Sequence, residues 1–353
     1  MKFAVGYQQH PGIEPFVNLV KKYREHIDEV YFPWIGVPSG RAMLGSAYSL
    51  SLYGKPYNGK MTGEDLQKQL EWELVEFRRM GIKLDILFNA NCFGEDAISV
   101  DFEKQLCSLL GHLDSLGILP DAVTTTSPFA ADRLKKHFPA IERRASVNMR
   151  IDSIPAMEYL ADIFDSFHIR RDIQRDIPAV AAFHDWCRKN GRKLCMLANS
   201  GCLRYCPAQI FHDNMIAHDA KLSKKENAKD FSPHLCWKTF SDPKNHIEFL
   251  KGAWVRPEDL HHYDPYFPVV KLATRVNAQP GRLIEAYIRR KFDGNLLNLM
   301  EPDLSRIFAP YIIDNSRFPE NWFGDCPANC AMTCAHCGKC EAVFRQVRVR
   351  KDS

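Results

Sequence analysis

The 353-residue sequence contains no apolar run long enough to span a membrane, which excludes a transmembrane helix. The opening MKFAVGYQQHPG has too short an apolar segment for a signal peptide, so a cytoplasmic protein with reduced thiols is expected. No G-x-G-x-x-G follows the first apolar run and no G-x-x-x-x-G-K-[ST] occurs anywhere, which removes support from the nucleotide-binding folds. Neither G-x-S-x-G nor H-E-x-x-H is found, so the commonest hydrolase signatures are missing. Net charge is only +4, too little to indicate a basic stripe for nucleic acid.

Cysteine, by contrast, is abundant. Twelve cysteines in a large chain expected to stay reduced point to metal or redox chemistry rather than disulfides. They cluster. Cys202 and Cys206 stand three residues apart after the apolar run Leu194–Ala198 and the break Asn199-Ser200-Gly201, and Pro207 follows at once, with a helical pattern after it. A strand, a glycine break, two close thiols and a helix start suit a soft metal, because backbone N–H groups and a helix N-terminus stabilise thiolates. Cys236, in the same long connection, is a third ligand, and Cys195 or Cys92 a fourth. Cys107 and Cys187 read as small core hydrophobes.

A second cluster closes the chain: Cys326, Cys330, Cys334, Cys337 and Cys340 within fifteen residues. That density signals metal, a further iron–sulfur cluster or, alternatively, zinc with His336 as a last-choice ligand. The C-x3-C-x2-C spacing of Cys330, Cys334 and Cys337 also occurs in radical-SAM enzymes. There it follows the first barrel strand, whereas here it lies beyond the last, and that assignment is rejected.

Apolar strand-like runs alternate with amphipathic helical runs through most of the chain. Strands are expected at Lys2–Tyr7, Glu29–Trp34, Lys83–Ala90, Asp121–Ser127, Arg143–Arg150, Asp165–Arg171, from Lys193, and at Pro268–Arg275. Helices are expected at Gly12–Ile27, Thr62–Gly81, Phe102–Leu116, Pro128–His137, Ile154–Ile163, Ile177–Asn190 and Arg282–Phe292, with Thr62 and Asp65 forming a capping box. Eight strand–helix units predict an α/β fold, a (β/α)8 TIM-barrel-like domain over 1–294, followed by a cysteine-rich extension over 295–353. A doubly wound open sheet is the alternative.

In such a barrel the chemistry sits at the C-terminal strand ends. These ends carry Arg150, Arg170, Arg171 and Arg275, suited to a carboxylate or phosphate through bidentate contacts, or else to surface ion pairs. His212 and His218 follow the thiol pair; six apart, they do not share a helix face and read best as surface or supporting hydrogen-bonding groups, with His212 also a candidate catalytic residue.

The pattern Leu194-Cys195-x6-Cys202, the Gly-Cys-x3-Cys-Pro at Gly201–Pro207, the HLCWKTF around Cys236, and WVRPEDL followed by VVKLATR resemble the peptidase U32 (collagenase-like protease) family. The resemblance covers roughly residues 1–295 and is most specific over 193–275. It implies a barrel-like fold and a 4Fe–4S cluster. Carried over by position, Cys195, Cys202 and Cys236 match family cluster cysteines, and Cys206 matches a close pair seen in a subset. Several members act in oxygen-independent hydroxylation of aromatic quinone precursors, in some cases with prephenate as hydroxyl source, or modify transfer and ribosomal RNA bases. The family's RNA-associated C-terminal domain is missing here, and the five-cysteine tail is not part of the general pattern.

The expectation is therefore an iron–sulfur enzyme doing redox or hydroxylation-type chemistry on a small anionic molecule, the tail relaying electrons from a donor protein. A peptidase, as the family label says, and an RNA base-modification protein are the alternatives; RNA stays open as a partner and a membrane does not.

Overall fold

The computed structural model describes residues 1–9, 14–37, 39–40, 62–325 and 337–351. Eight strands form one sheet: β1 (Lys2–Gly6), β2 (Ile27–Phe32), β3 (Lys83–Phe88), β4 (Ala122–Thr125), β5 (Glu142–Ala145), β6 (Ser166–His168), β7 (Lys193–Cys195) and β8 (Val269–Leu272). They run in the order 7-6-5-4-3-2-1-8, and every pairing is parallel. Just past β7 the sheet closes on β8: Lys271 N–H donates to the Met196 carbonyl (3.1 Å), and Ala198 N–H to the Lys271 carbonyl (3.0 Å). The result is the expected barrel. Its strands are nearly continuous apolar runs because helices cover the outside and side chains fill the inside.

The covering helices are α1 (Phe16–Lys22), α2 (Gly63–Arg79), α3 (Val100–Ser115), α4 (Pro128–His137), α5 (Ile154–Glu158) and α6 (Ile177–Lys189); α7 (Gln209–Ala217) and α8 (Leu235–Phe240) belong to the long connection after β7, and α9 (Pro280–Arg289) follows β8. α2 forms where Leu66, Leu70, Leu74 and Phe77 recur at helical spacing and are buried. The capping box is present: Thr62 Oγ1 accepts from Asp65 N–H (3.2 Å), and Asp65 Oδ2 accepts from Thr62 N–H (2.8 Å). Thr62→Ala removes the hydroxyl's bonds to Asp65 N–H and Oδ2 while the backbone N–H bond remains, and a loss of about 1 kcal/mol in urea unfolding is expected.

Several expected strands stop early. β5 ends at Ala145 because Ser146 caps a 3-10 turn (Val147–Met149) and Arg150 then adopts a left-handed φ of 55°. β6 ends at His168, before a turn at Arg171–Ile173. α1 and α5 are shorter than their sequence periodicity suggests.

The described part of the extension packs onto the barrel. Leu296, Leu297, Leu299, Met300, Phe308 and Ile313 are buried in the same apolar core as the barrel strands. A small antiparallel pair, β9 (Tyr311–Ile313) with β10 (Arg348–Arg350), follows, and α10 (Lys339–Val347) leads into its second strand. Asn199 ties this extension to the mouth. Its amide donates to the Ala273 (2.9 Å) and Leu299 (2.8 Å) carbonyls, and its own carbonyl accepts from Glu301 N–H (2.9 Å). Gly201 is required at that crossing, since a Cβ there would lie 3.0 Å from Met300 Cβ and 3.2 Å from the Pro302 carbonyl.

Candidate functional site: a thiol-lined barrel mouth

The cavity at the C-terminal ends of the strands holds about 150 Å³, room for a ligand of benzene size or several waters. Cys202, Cys206 and Cys236 all line it. Cys202 comes from the loop after β7, Cys206 from just before α7, and Cys236 from α8. The structure thus brings together the three thiols that the sequence joined across a long connection.

Asp172 shapes the turn between the first two. Its Oδ1 accepts from Tyr205 N–H (2.5 Å) and its carbonyl accepts from Arg204 Nε (2.9 Å), while Tyr205 sits at φ 52°. Arg170 holds the same carboxylate at 2.6 Å and reaches Asp152 at 3.0 Å. Arg170 is therefore a rim ion-pair residue that braces the thiol turn.

Arg171 faces inward. Its Nη1 lies 3.5 Å from Cys202 Sγ and 3.3 Å from Ser200 Oγ. Burial, together with the nearby Cys202 and Cys206, pushes the Cys236 thiol up to about 12. Burial also raises Cys206, again with Cys202 adding to it and Arg171 opposing. Cys206 and Cys236 so placed resist ionising unless a cation joins them, which is the environment a soft metal relieves. Among the described residues no group of three or more His, Cys, Asp or Glu side chains is arranged to hold a metal ion.

The remaining sequence-derived residues divide clearly. Arg275 lines the mouth after β8, with Nη2 3.3 Å from Ser39 Oγ. His212 lines it too, its ring edge-on to His234 at 4.7 Å, and His234 packs on Trp237 at 4.3 Å. Arg150 is bound to Asp213 of α7 (2.9 Å), which also takes Asn91 (3.3 Å), so it anchors the helix behind the mouth. Cys92 is half-buried in the loop after β3, its Sγ accepting from Gly94 N–H (3.4 Å), and it does not line the cavity. Cys195 lines a different cavity, at the N-terminal end of the barrel, with Glu29, Glu142 and Arg144, where burial pushes its thiol up to about 12. Cys187 is buried beside Met157, and Cys107 is half-buried on α3. Cys326, Cys330 and Cys334 lie outside the described residues, as does His336; Cys337 is exposed and Cys340 half-buried.

The structure adds mouth residues that the sequence did not single out: Tyr31, Asn89, Asn148, His168, Lys271 and Glu301. Gly6 is part of this construction. A Cβ there would come 2.5 Å from Arg275 Cγ and 2.6 Å from Tyr31, so glycine lets both side chains lie over β1.

A closed parallel (β/α)8 barrel with its thiols gathered at the C-terminal mouth defines the class of protein. No protein-family model matches the chain. It is 26% identical over 340 residues to a protein described as uncharacterized protease MJ1657 from Methanocaldococcus jannaschii, spanning 91% of this chain and 89% of the relative. The solved structure of the U32 peptidase Mk0906 overlays with a TM-score of 0.51 at 14% identity, covering 77% of this chain and 92% of that one, a likeness of fold. The relative matches along nearly the whole chain, and the U32 structure shares the barrel fold that the thiol pattern led one to expect. Among the described residues no helix is long and apolar enough to cross a membrane.

Proposed function

We propose that this chain is an iron–sulfur enzyme of U32 type that holds a four-iron cluster at the barrel mouth and acts on a small organic anion. The observation that carries the reading is the convergence of Cys202 and Cys206, from one loop, with Cys236, from a helix further on, at one cavity that also presents Arg171, Arg275 and Lys271. The three cysteines would hold the cluster. When bound, such a cluster supplies one-electron chemistry or, at an iron without a protein ligand, a Lewis acid.

The rest of the chemistry belongs to the chain's own side chains. Arg171 and Arg275 supply planar guanidinium groups that match a carboxylate or phosphate. Asn89 and Asn148 add neutral polar groups on the facing wall, and Leu197, Leu203 and Val276 give it apolar surface. The tail cysteines suit a second metal centre, iron–sulfur or zinc, and a cluster there would pass electrons from a donor protein.

Protein purified without oxygen tests the reading. We expect brown protein with about four or about eight irons per chain, matched by sulfide, and a paramagnetic signal on reduction. Colourless protein carrying only zinc overturns it. Proteolysis by such colourless protein would instead favour the peptidase activity in the names of both relatives.

A further inference from the structure

We infer that Lys271 is the proton-carrying group at the floor of the mouth and that Asp85, inside the barrel, is the countercharge that holds its proton. The inference rests on the mouth being the reaction site.

Lys271 lies on β8 and its side chain is 12% exposed. It lines both the mouth cavity and the cavity at the opposite end of the barrel; of the ionisable residues only His168 does the same. These two side chains therefore form the layer between the two spaces. Lys271 Nζ stands 3.8 Å from the centre of the Tyr31 ring and 3.9 Å from Asp85 Oδ2, a contact of charge rather than a hydrogen bond.

Asp85 accepts from Thr124 N–H (2.9 Å) and from Thr124 Oγ1 (2.7 Å), with Arg144 Nη1 at 3.4 Å. Arg144 is committed elsewhere, to Glu29 through both nitrogens (2.8 and 3.0 Å). Arg144 thus binds Glu29 at close range, with Glu142 at 3.0 Å, and Asp85 lies between Arg144 at 3.4 Å and Lys271 at 3.9 Å, the one carboxylate in ion-pair range of the amine among the described residues.

Every strand around the amine can be accounted for. β2 faces it with Glu29 and Tyr31, β3 with Asp85, β4 with Thr124, β5 with Arg144, β6 with His168 and β7 with Cys195, while β1 offers nothing ionisable beyond exposed Lys2 at its start. From the mouth side come Arg171, Arg275, Glu301, Asp213, His212 and His234, with the thiols of Cys202, Cys206 and Cys236. His168 Nδ1 lies 3.3 Å from the Ala145 carbonyl, which fixes the proton on that nitrogen, and burial with Lys271 and Arg144 nearby keeps the ring neutral. The transferable proton at the floor is therefore that of Lys271. Burial, helped by Arg144, lowers the ammonium below the ordinary lysine range against the pull of Asp85, and burial raises Asp85 against the pull of Arg144. Both shifts bring amine and carboxyl toward exchange.

In the step, an Nζ–H bond of the ammonium breaks and an O–H or C–H bond forms on a basic atom of a molecule in the mouth. The neutral amine then recovers a proton from water entering through the mouth, and no electron moves.

Reductive methylation with 13C-formaldehyde, followed by an NMR pH titration of the full chain, tests the assignment. Lys271→Met identifies the signal. We expect Lys271 to be methylated and to titrate below the surface lysines, and Asp85→Asn to move its midpoint further down by removing the negative charge. If Asp85→Asn does not fold, Thr124→Val, which takes one hydrogen bond from the carboxylate, is expected to move the midpoint the same way. A midpoint equal to that of the surface lysines, indifference to both variants, or an amine that stays unmethylated while surface amines react would each overturn the inference. The readout is an amine's titration, so it stands or falls separately from the iron content of the mouth.

Discussion

Arg144→Ala is expected to destabilise the barrel by about 3–5 kcal/mol, the range for breaking a buried ion pair by removing one partner. The guanidinium is 11% exposed; Glu29 beside it is 5% exposed and Asp85 not at all. It reaches Glu142 at 3.0 Å as well. Removing it leaves Glu29 and Asp85 in the barrel interior with Lys271 as the nearest cation, while Glu142 keeps Lys193. The cost therefore comes from stranded charge more than from lost attraction, and the double substitution Arg144→Met with Glu29→Gln should recover much of it. An exposed pair such as Arg24 with Glu25, at 60% and 77% exposure, gives the scale for comparison: its loss is worth about 0–1 kcal/mol. Urea unfolding of the three variants checks the claim, and an Arg144→Ala loss as small as that of the exposed pair would contradict it.

Cys236→Ala is expected to strip about four irons and four sulfides from each chain while the fold persists. The thiol is half-buried, at the edge of the core and on the cavity wall, and alanine keeps its Cβ there. Cys202→Ala and Cys206→Ala should behave alike. Cys195→Ala should keep its iron, because that thiol opens on the far end of the barrel among Glu29, Glu142 and Arg144. Iron and sulfide analysis with circular dichroism on the four variants separates loss of the centre from loss of the fold. Iron retained in Cys236→Ala, or lost from Cys195→Ala alone, would redraw the ligand set.

The barrel was legible because eight apolar runs alternate with helical ones, and because caps such as Thr62 with Asp65 obey local rules that tertiary packing leaves alone. α4 falls on its expected bounds for the same reason, opened by Ser127 as N-cap and Pro128 at the first helical position. The thiol mouth was legible from one close cysteine pair and one cysteine further along the same connection. Arg150 was open between a substrate group and an ion pair; the turn capped by Ser146, which ends β5 before it, places it on Asp213. The interior charges were less visible. In parallel strands buried on both faces, period-two alternation is weak, so Glu29, Asp85, Arg144 and Lys271 passed as ordinary members of apolar runs. Four charged residues inside such runs, on four strands, were nevertheless a signal, since a buried charge needs a partner. Glu301 had no local signal: it reaches the mouth only because Asn199 and Gly201 let the extension pass against the end of β7.

The most direct test of the central claim is iron and sulfide content in anaerobically purified protein carrying Cys337→Ser and Cys340→Ser, with Cys326, Cys330 and Cys334 also changed to Ser, so that no tail thiol remains. The proposal predicts about four irons and four sulfides per chain in that variant. A variant without iron, or with zinc alone, would contradict it.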